Sequence, residues 1–266
     1  MNKSRIISTL LTLAMTVSFI PAAVFADDHP ANGWYNSGTN IYPRWVYYRD
    51  GEQVAGEWIK DGGKWYYLDL NGVMVSNCGY NDGSKVYLLG KDGALVTRKG
   101  WVSTKTTFYL PPDASQDTTE VVPEKVHVNW YYLRSGGVCV TGWKKISGKW
   151  YYFYPDFEEG MAYSEPGRMV DTPTELIDDT LYIFNSNGSL IKKTGWVSIK
   201  YSGVTYWLYA KKGGIAYTGW KKSGGKWYYL QDYGPMATNR TLYIDGLNYD
   251  FDKSGVCTTP DGYLPK

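Results

Sequence analysis

Twelve tryptophans recur at fixed intervals, and no other feature constrains the fold as tightly. Trp34, Trp45, Trp58 and Trp65, followed by Tyr87, are spaced 11, 13, 7 and 22 residues apart. Trp196, Trp207, Trp220 and Trp227, followed by Tyr249, repeat those intervals. Between them, Trp101, Trp130, Trp143, Trp150 and Tyr182 are spaced 29, 13, 7 and 32, the same block with 18 residues added to one gap and 10 to another. Such self-similarity marks units that cannot bury their apolar faces alone and must stack. After a short segment at 27–32, the chain divides into blocks at 33–97, 98–193 and 194–266, the last ending in a C-terminal half unit.

Each block holds three units of about twenty residues. In GKWYYLDLNGVMVS, the aromatic run KWYYL predicts a strand. Side chains alternate along a strand, so Trp65 and Tyr67 share one face and Tyr66 takes the other. DGG (61–63) and SG (147–148) predict tight turns before that strand, and DLNG, NSNG and DKSG predict turns after it. The unit is a hairpin plus a connecting loop, and a lone hairpin is marginal in water. The expected fold is an all-β solenoid, a superhelix of about nine stacked β-hairpins, its hand left open. In the third unit of each block (KVYLLGKDGALVT, TLYIFNSNGSLIKK, LNYDFDKSGVCTT) the turn survives and the leading Trp is lost. The insertions, PPDASQDTTEVVPEK and a stretch within PDFEEGMAYSEPGRMVDTPTELIDD, read as loops.

Residues 1–26 read as a secretory signal peptide: Lys3 and Arg5, an apolar run, then small residues Val24 and Ala26 before a cut. The run is shorter than a membrane span of ~20 residues, and no stop-transfer charges follow, so no transmembrane anchor is expected. Without the signal, 26 basic residues face 26 acidic ones. No basic stripe calls for nucleic acid. Cys78, Cys139 and Cys257 are odd in number, and Cys139 and Cys257 occupy the slot that Met74 holds in GVMVS. They read as small buried apolar positions, with neither a disulfide framework nor a metal site, and no cofactor is implied.

The pattern GW, six residues, WYY, F or L, then a late Gly and Met resembles the choline-binding, or cell-wall-binding, repeat of Gram-positive surface proteins. It is also similar to repeats of glucan-binding and clostridial toxin proteins. The resemblance implies a superhelix of hairpins in which choline sits in an aromatic cage between consecutive hairpins. One hairpin gives the Trp of GW and the first aromatic of WYY, and the next gives the second Tyr of its WYY. Carried over, three sets match: Trp34, Trp45 and Tyr67; Trp101, Trp130 and Tyr152; Trp196, Trp207 and Tyr229. In the first and third the tryptophans are 11 apart where the family has 7, which implies a longer hairpin. The remaining pairs would be variant sites. Trp58 and Trp65 would meet Leu88, Trp143 and Trp150 would meet Ile183, and Trp220 and Trp227 would meet Asp250.

A quaternary ammonium has no N–H to donate, so it is recognised by the negative faces of aromatic rings. The resemblance therefore implies a non-catalytic protein, secreted and wall-associated, that holds choline-bearing teichoic acid or another wall glycan and is retained noncovalently. A protein partner for the insertions stays open. Aromatic platforms also stack on sugars, so a carbohydrate-binding module for a glucan or glycan receptor is the alternative. A ladder of Trp and Tyr could also be solenoid core alone, although a plain core would use Leu, Val and Ile. An enzyme fits least, since His29 and His127 are the two histidines and no nucleophile or metal motif accompanies them.

Overall fold

The computed structural model describes residues 29–39, 42–109, 123–155 and 165–259. The expected signal peptide, the terminal stretch 260–266, and residues 110–122 and 156–164 of the insertions lie outside them. The described residues form nine antiparallel hairpins, each its own small sheet. Hairpins 1 to 3 are Gly33–Asn36 with Trp45–Arg49, Trp58–Asp61 with Lys64–Tyr67, and Gly79–Asn81 with Val86–Leu88. Hairpins 4 to 6 are Gly100–Tyr109 with Pro123–Leu133, Gly142–Ile146 with Lys149–Phe153, and Thr174–Ile177 with Thr180–Ile183. Hairpins 7 to 9 are Gly195–Tyr201 with Val204–Ala210, Gly219–Ser223 with Lys226–Leu230, and Arg240–Ile244 with Leu247–Phe251. A short strand, Glu52–Gln53, adds to hairpin 1. Among the described residues no helix is long and apolar enough to cross a membrane.

The hairpins are joined by one recurring backbone device. After a hairpin, the chain turns and bridges back to it, as in Leu68 with Met74 or Leu230 with Met236. The same loop residue donates its N–H to the previous hairpin. Met74 N–H reaches Trp45 O at 2.8 Å, Met169 reaches Trp130 O at 2.7 Å, and Met236 reaches Trp207 O at 2.8 Å. Leu95, Leu190 and Cys257 do the same to Trp65, Trp150 and Trp227, each at 2.8 Å. An edge carbonyl that would otherwise be unpaired is thereby satisfied at each step, which suits a stack of two-stranded sheets.

The turns DLNG and DKSG work as their composition suggests. Asp252 Oδ1 accepts the Ser254 hydroxyl at 2.6 Å, the Val256 N–H at 2.9 Å and the Ser254 N–H at 2.8 Å, and these bonds, the hydroxyl first, hold its carboxyl below the usual range. The late Gly is required twice over at Gly255. Its φ is +80°, and a Cβ there would stand 2.4 Å from Met236 Cε. The turn glycine of one unit thus seats the methionine of the unit before it.

The core is a string of small clusters between hairpins. Val54, Ile59 and Leu68 pack with Trp34, Tyr66 and Met74 between hairpins 1 and 2. Where hairpin 3 meets hairpin 4, the filling is Val86, Leu88, Val102, Leu133 and the fully buried Tyr131. Where hairpin 6 meets hairpin 7, it is Ile183, Val197, Ile199 and Leu208. Hairpins 3 and 6, two of the units without a leading Trp, thus meet the next hairpin on mostly aliphatic side chains. Cys139 and Cys257 are buried and their thiols are free, as the apolar reading of that slot expects.

The first insertion departs from the expected loop. Hairpin 4 runs on past the Ser103–Trp130 pair, where hairpin 1 has already turned, and continues to Tyr109 opposite Pro123. Pro123, Glu124 and Lys125, within the stretch read as loop, are strand. Alternating β-branched residues on both sides (TKTT, VHV) extend the ladder, and the adjacent Pro-rich composition hid them. The second insertion returns onto the stack at Glu165, whose carboxylate accepts from the Tyr131 hydroxyl and, at 3.3 Å, from Asn129 Nδ2. Burial, with Glu165 beside it, pushes the Tyr131 phenol far up.

Candidate ligand-binding site

The first Trp of a unit lies edge to face between two tyrosines. One is its cross-strand partner, and the other belongs to the next hairpin. Trp34 meets Tyr47 at 5.1 Å and Tyr66 at 5.0 Å between ring centroids. Trp101 meets Tyr132 at 5.2 Å and Tyr151 at 5.0 Å. Trp196 meets Tyr209 at 5.4 Å and Tyr228 at 5.0 Å. The same geometry holds in the middle units. Trp58 meets Tyr67 and Tyr87, Trp143 meets Tyr152 and Tyr182, and Trp220 meets Tyr229 and Tyr249. Each edge-to-face pair contributes about 0.5–1.5 kcal/mol beyond its area.

The second Trp stands two residues before the cross-strand Tyr, so strand alternation puts it on the same face. Its ring is set nearly perpendicular to the first: Trp101 and Trp130 are 6.3 Å apart at 82°, and Trp220 and Trp227 are 6.2 Å apart at 89°. Trp45, Trp65, Trp130, Trp150 and Trp207 are each 40–46% exposed. Core side chains of this size are not left so open, so these rings are not filling the solenoid. Two walls at a right angle, a Tyr across from them and a Met or Leu beneath make a box open on one side. Hairpins 7 and 8 enclose a cavity of about 440 Å³ lined by Trp196, Trp207, Tyr228 and Met236, with Lys253 and Ser254 from the turn after hairpin 9.

Hydrogen bonds fix the first Trp. Its indole N–H donates to the next hairpin, from Trp34 to Asp61 at 3.2 Å, from Trp58 to Asp82 at 2.9 Å and from Trp196 to the Ser223 hydroxyl at 3.1 Å. Burial alone would raise the Asp82 carboxyl. The Trp58 indole and the backbone N–H groups of Lys85 and Ser84 hold it below its ordinary value instead.

The third wall is where the structure differs from the expected arrangement. Tyr67, Tyr152 and Tyr229 pack on the Trp of their own hairpin, each at 5.2 Å, and so face forward along the stack. The residues brought to Trp34, Trp101 and Trp196 are Tyr66, Tyr151 and Tyr228, on the opposite strand face. The variant sites change for the same reason. Leu88 and Ile183 are buried in core, Asp250 accepts from the Thr241 hydroxyl at 2.5 Å, and the rings that meet Trp58, Trp143 and Trp220 are Tyr87, Tyr182 and Tyr249. Six Trp–Trp–Tyr sets result. The signal was in the sequence, because Tyr66 is the one aromatic of WYY that points away from Trp65.

The set at hairpins 4 and 5 has more around it. Its cavity is about 520 Å³ and has Asn187 where the cavity at hairpins 7 and 8 has Ser254, with Asp171, Lys200 and Tyr201 added to Trp101, Trp130, Tyr151 and Met169. Asp171 is held by Arg168 at 3.0 Å and by His127 Nε2 at 3.0 Å. Burial raises the Tyr201 phenol, and Asp171 adds to the rise.

Residues 56–74, 141–156 and 218–236, which contain hairpins 2, 5 and 8, each match the model of the putative cell wall binding repeat. Three segments of the chain are thus copies of this putative cell wall binding repeat. The chain is similar to Glucosyltransferase-S of Streptococcus mutans, 28% identical over 131 residues, which are 41% of this chain and 9% of that protein. The chain therefore spans a small part of that relative. Among solved structures it is similar to CbpJ of Streptococcus pneumoniae, with 23% identity, 87% of this chain and 97% of that one covered, and a TM-score of 0.34. It is likewise similar to choline binding protein F of Streptococcus pneumoniae, with 24% identity, 89% and 97% covered, and a TM-score of 0.32.

Proposed function

We propose that this protein is secreted and binds choline residues of cell-wall teichoic acid in the boxes between consecutive hairpins, without catalysis. The observation that carries the reading is the exposed second Trp of five of the sets, on the same strand face as a first Trp that packs edge to face between two tyrosines. An ammonium head enters against faces, not donors. Each ring contact contributes ~0.5–2 kcal/mol, so three give an affinity of roughly millimolar. One such site is a weak tether. Several on one chain, meeting a polymer with many choline groups, give retention by effective concentration. The walls are Trp34, Trp45 and Tyr66; Trp58, Trp65 and Tyr87; Trp101, Trp130 and Tyr151; Trp143, Trp150 and Tyr182; Trp196, Trp207 and Tyr228; Trp220, Trp227 and Tyr249.

Titrating the protein with choline while following tryptophan fluorescence and Tm tests this. Saturable quenching with a rising Tm supports it, since a ligand of the folded state stabilises that state. A second reading, a sugar ring stacked on the same tryptophans, draws on the similarity to a glucosyltransferase. It requires that glucans quench and choline does not.

A further inference from the structure

The cavity at hairpins 4 and 5 is unlike its counterpart at hairpins 7 and 8. Both have two tryptophans, a tyrosine, a methionine and the turn of the following third unit, which supplies Ser186 and Asn187 to the former and Lys253 and Ser254 to the latter. Only the former is joined by Asp171 from the second insertion and by Lys200, Tyr201 and Ser202 from the tip of hairpin 7. The lengthened hairpin 4 contributes Val128 to its wall. An ammonium head fills a fraction of 520 Å³, and such volumes hold ligands of several rings' worth of atoms, about 300–1,000 Å³.

We propose that this annex binds a sugar ring that carries the choline, so that this one site reads a choline-bearing saccharide and the others read choline alone. The inference rests on the choline reading above. Its own support is the chemistry of the annex. A carboxylate accepts, an ammonium donates, and hydroxyls do both, which is what a polyhydroxylated ring requires. Asn187 commits its carbonyl oxygen to Ser189, at 3.1 Å from the backbone N–H and 2.7 Å from the hydroxyl, and its amide nitrogen is a donor. Asp171 is oriented by Arg168 and His127 before any ligand arrives. A phosphate would call for two or more cations and no carboxylate at the wall. Here Lys200 stands with Asp171 across one cavity, and the two signs favour neutral hydroxyls.

The test is calorimetric titration of the whole chain with four probes: choline, phosphocholine, glucose, and glucose bearing choline as an ether on its 6-hydroxyl. The conjugate is expected to fill one site per chain about tenfold more tightly than choline, the gain of two or so hydrogen bonds, while phosphocholine matches choline. Asn187→Asp keeps the oxygen that Ser189 uses and removes the amide donor, and Lys200→Met keeps bulk without charge. Each should pull the conjugate-to-choline affinity ratio back towards one. An equal gain for phosphocholine would assign the annex to phosphate and overturn the sugar assignment, as would a conjugate no tighter than choline. Failure of choline at every site would sink the choline reading by itself. The annex assignment then survives if the conjugate still binds and Asn187→Asp abolishes that binding, and falls if it does not.

Discussion

Trp34 and Tyr66 belong to consecutive hairpins and meet edge to face at 5.0 Å, with their planes 70° apart. The neighbouring Tyr67 turns the other way and packs on Trp58. Adjacent tyrosines in one strand thus serve two different junctions, one behind and one ahead. The phrase WYY is the joint of the stack: its last Tyr packs on the first Trp of its own hairpin, and its middle Tyr packs on the first Trp of the hairpin before.

The first prediction separates these roles. Tyr228→Ala should remove one wall at hairpins 7 and 8 and weaken choline there by one ring contact, ~0.5–2 kcal/mol, or about threefold to thirtyfold. Tyr228→Phe keeps the ring face and should bind as the parent does. Site-resolved titration of both variants checks this, and equal loss from the two would mean that the hydroxyl matters, not the face.

The turn glycines predict a stability effect away from any ligand. Gly255→Ala puts a Cβ 2.4 Å from Met236 Cε at a φ of +80°. It should destabilise by about 1–3 kcal/mol in a urea melt, through strain and overpacking together. Gly148→Ala, also at positive φ but with open space around it, should cost less.

The Tyr131 hydroxyl on Glu165 ties the second insertion to the junction of hairpins 3 and 4. Tyr131→Phe leaves that carboxylate with one fewer donor, a loss of about 1–3 kcal/mol. Limited proteolysis should quicken in the variant. Unchanged cleavage and an unchanged melt would show that the tie holds nothing.

Acid should loosen the box at hairpins 2 and 3. The Asp82 carboxyl is held below its ordinary value, so its contribution is fully present above the usual carboxylate pKa of ~3.9 and is lost as pH falls through the lower folded-state value. Between about pH 5 and about pH 2.5 the parent should lose more Tm than Asp82→Asn does.

Much of this was legible beforehand. The tryptophan intervals and the Gly-containing turns mark the hairpins, because strand and turn chemistry are local. The middle Tyr was legible too, through strand alternation, but matching by position in the phrase assigned the box wall to Tyr67, Tyr152 and Tyr229. The strands of the first insertion were masked by the Pro-rich stretch beside them. The bond from Tyr131 to Glu165 joins residues 34 apart across a segment without period, and no local rule reaches that far. The annex at Lys200 and Asp171 is of the same kind, since it depends on where hairpin 7 brings its tip.

The most direct test of the central claim is equilibrium dialysis of the protein against choline, counting ligands bound per chain. Several choline molecules per chain at roughly millimolar affinity, one fewer when Trp196 is changed to Ala, is the result expected of boxes between hairpins. No saturable choline, or a count indifferent to that change, would contradict it.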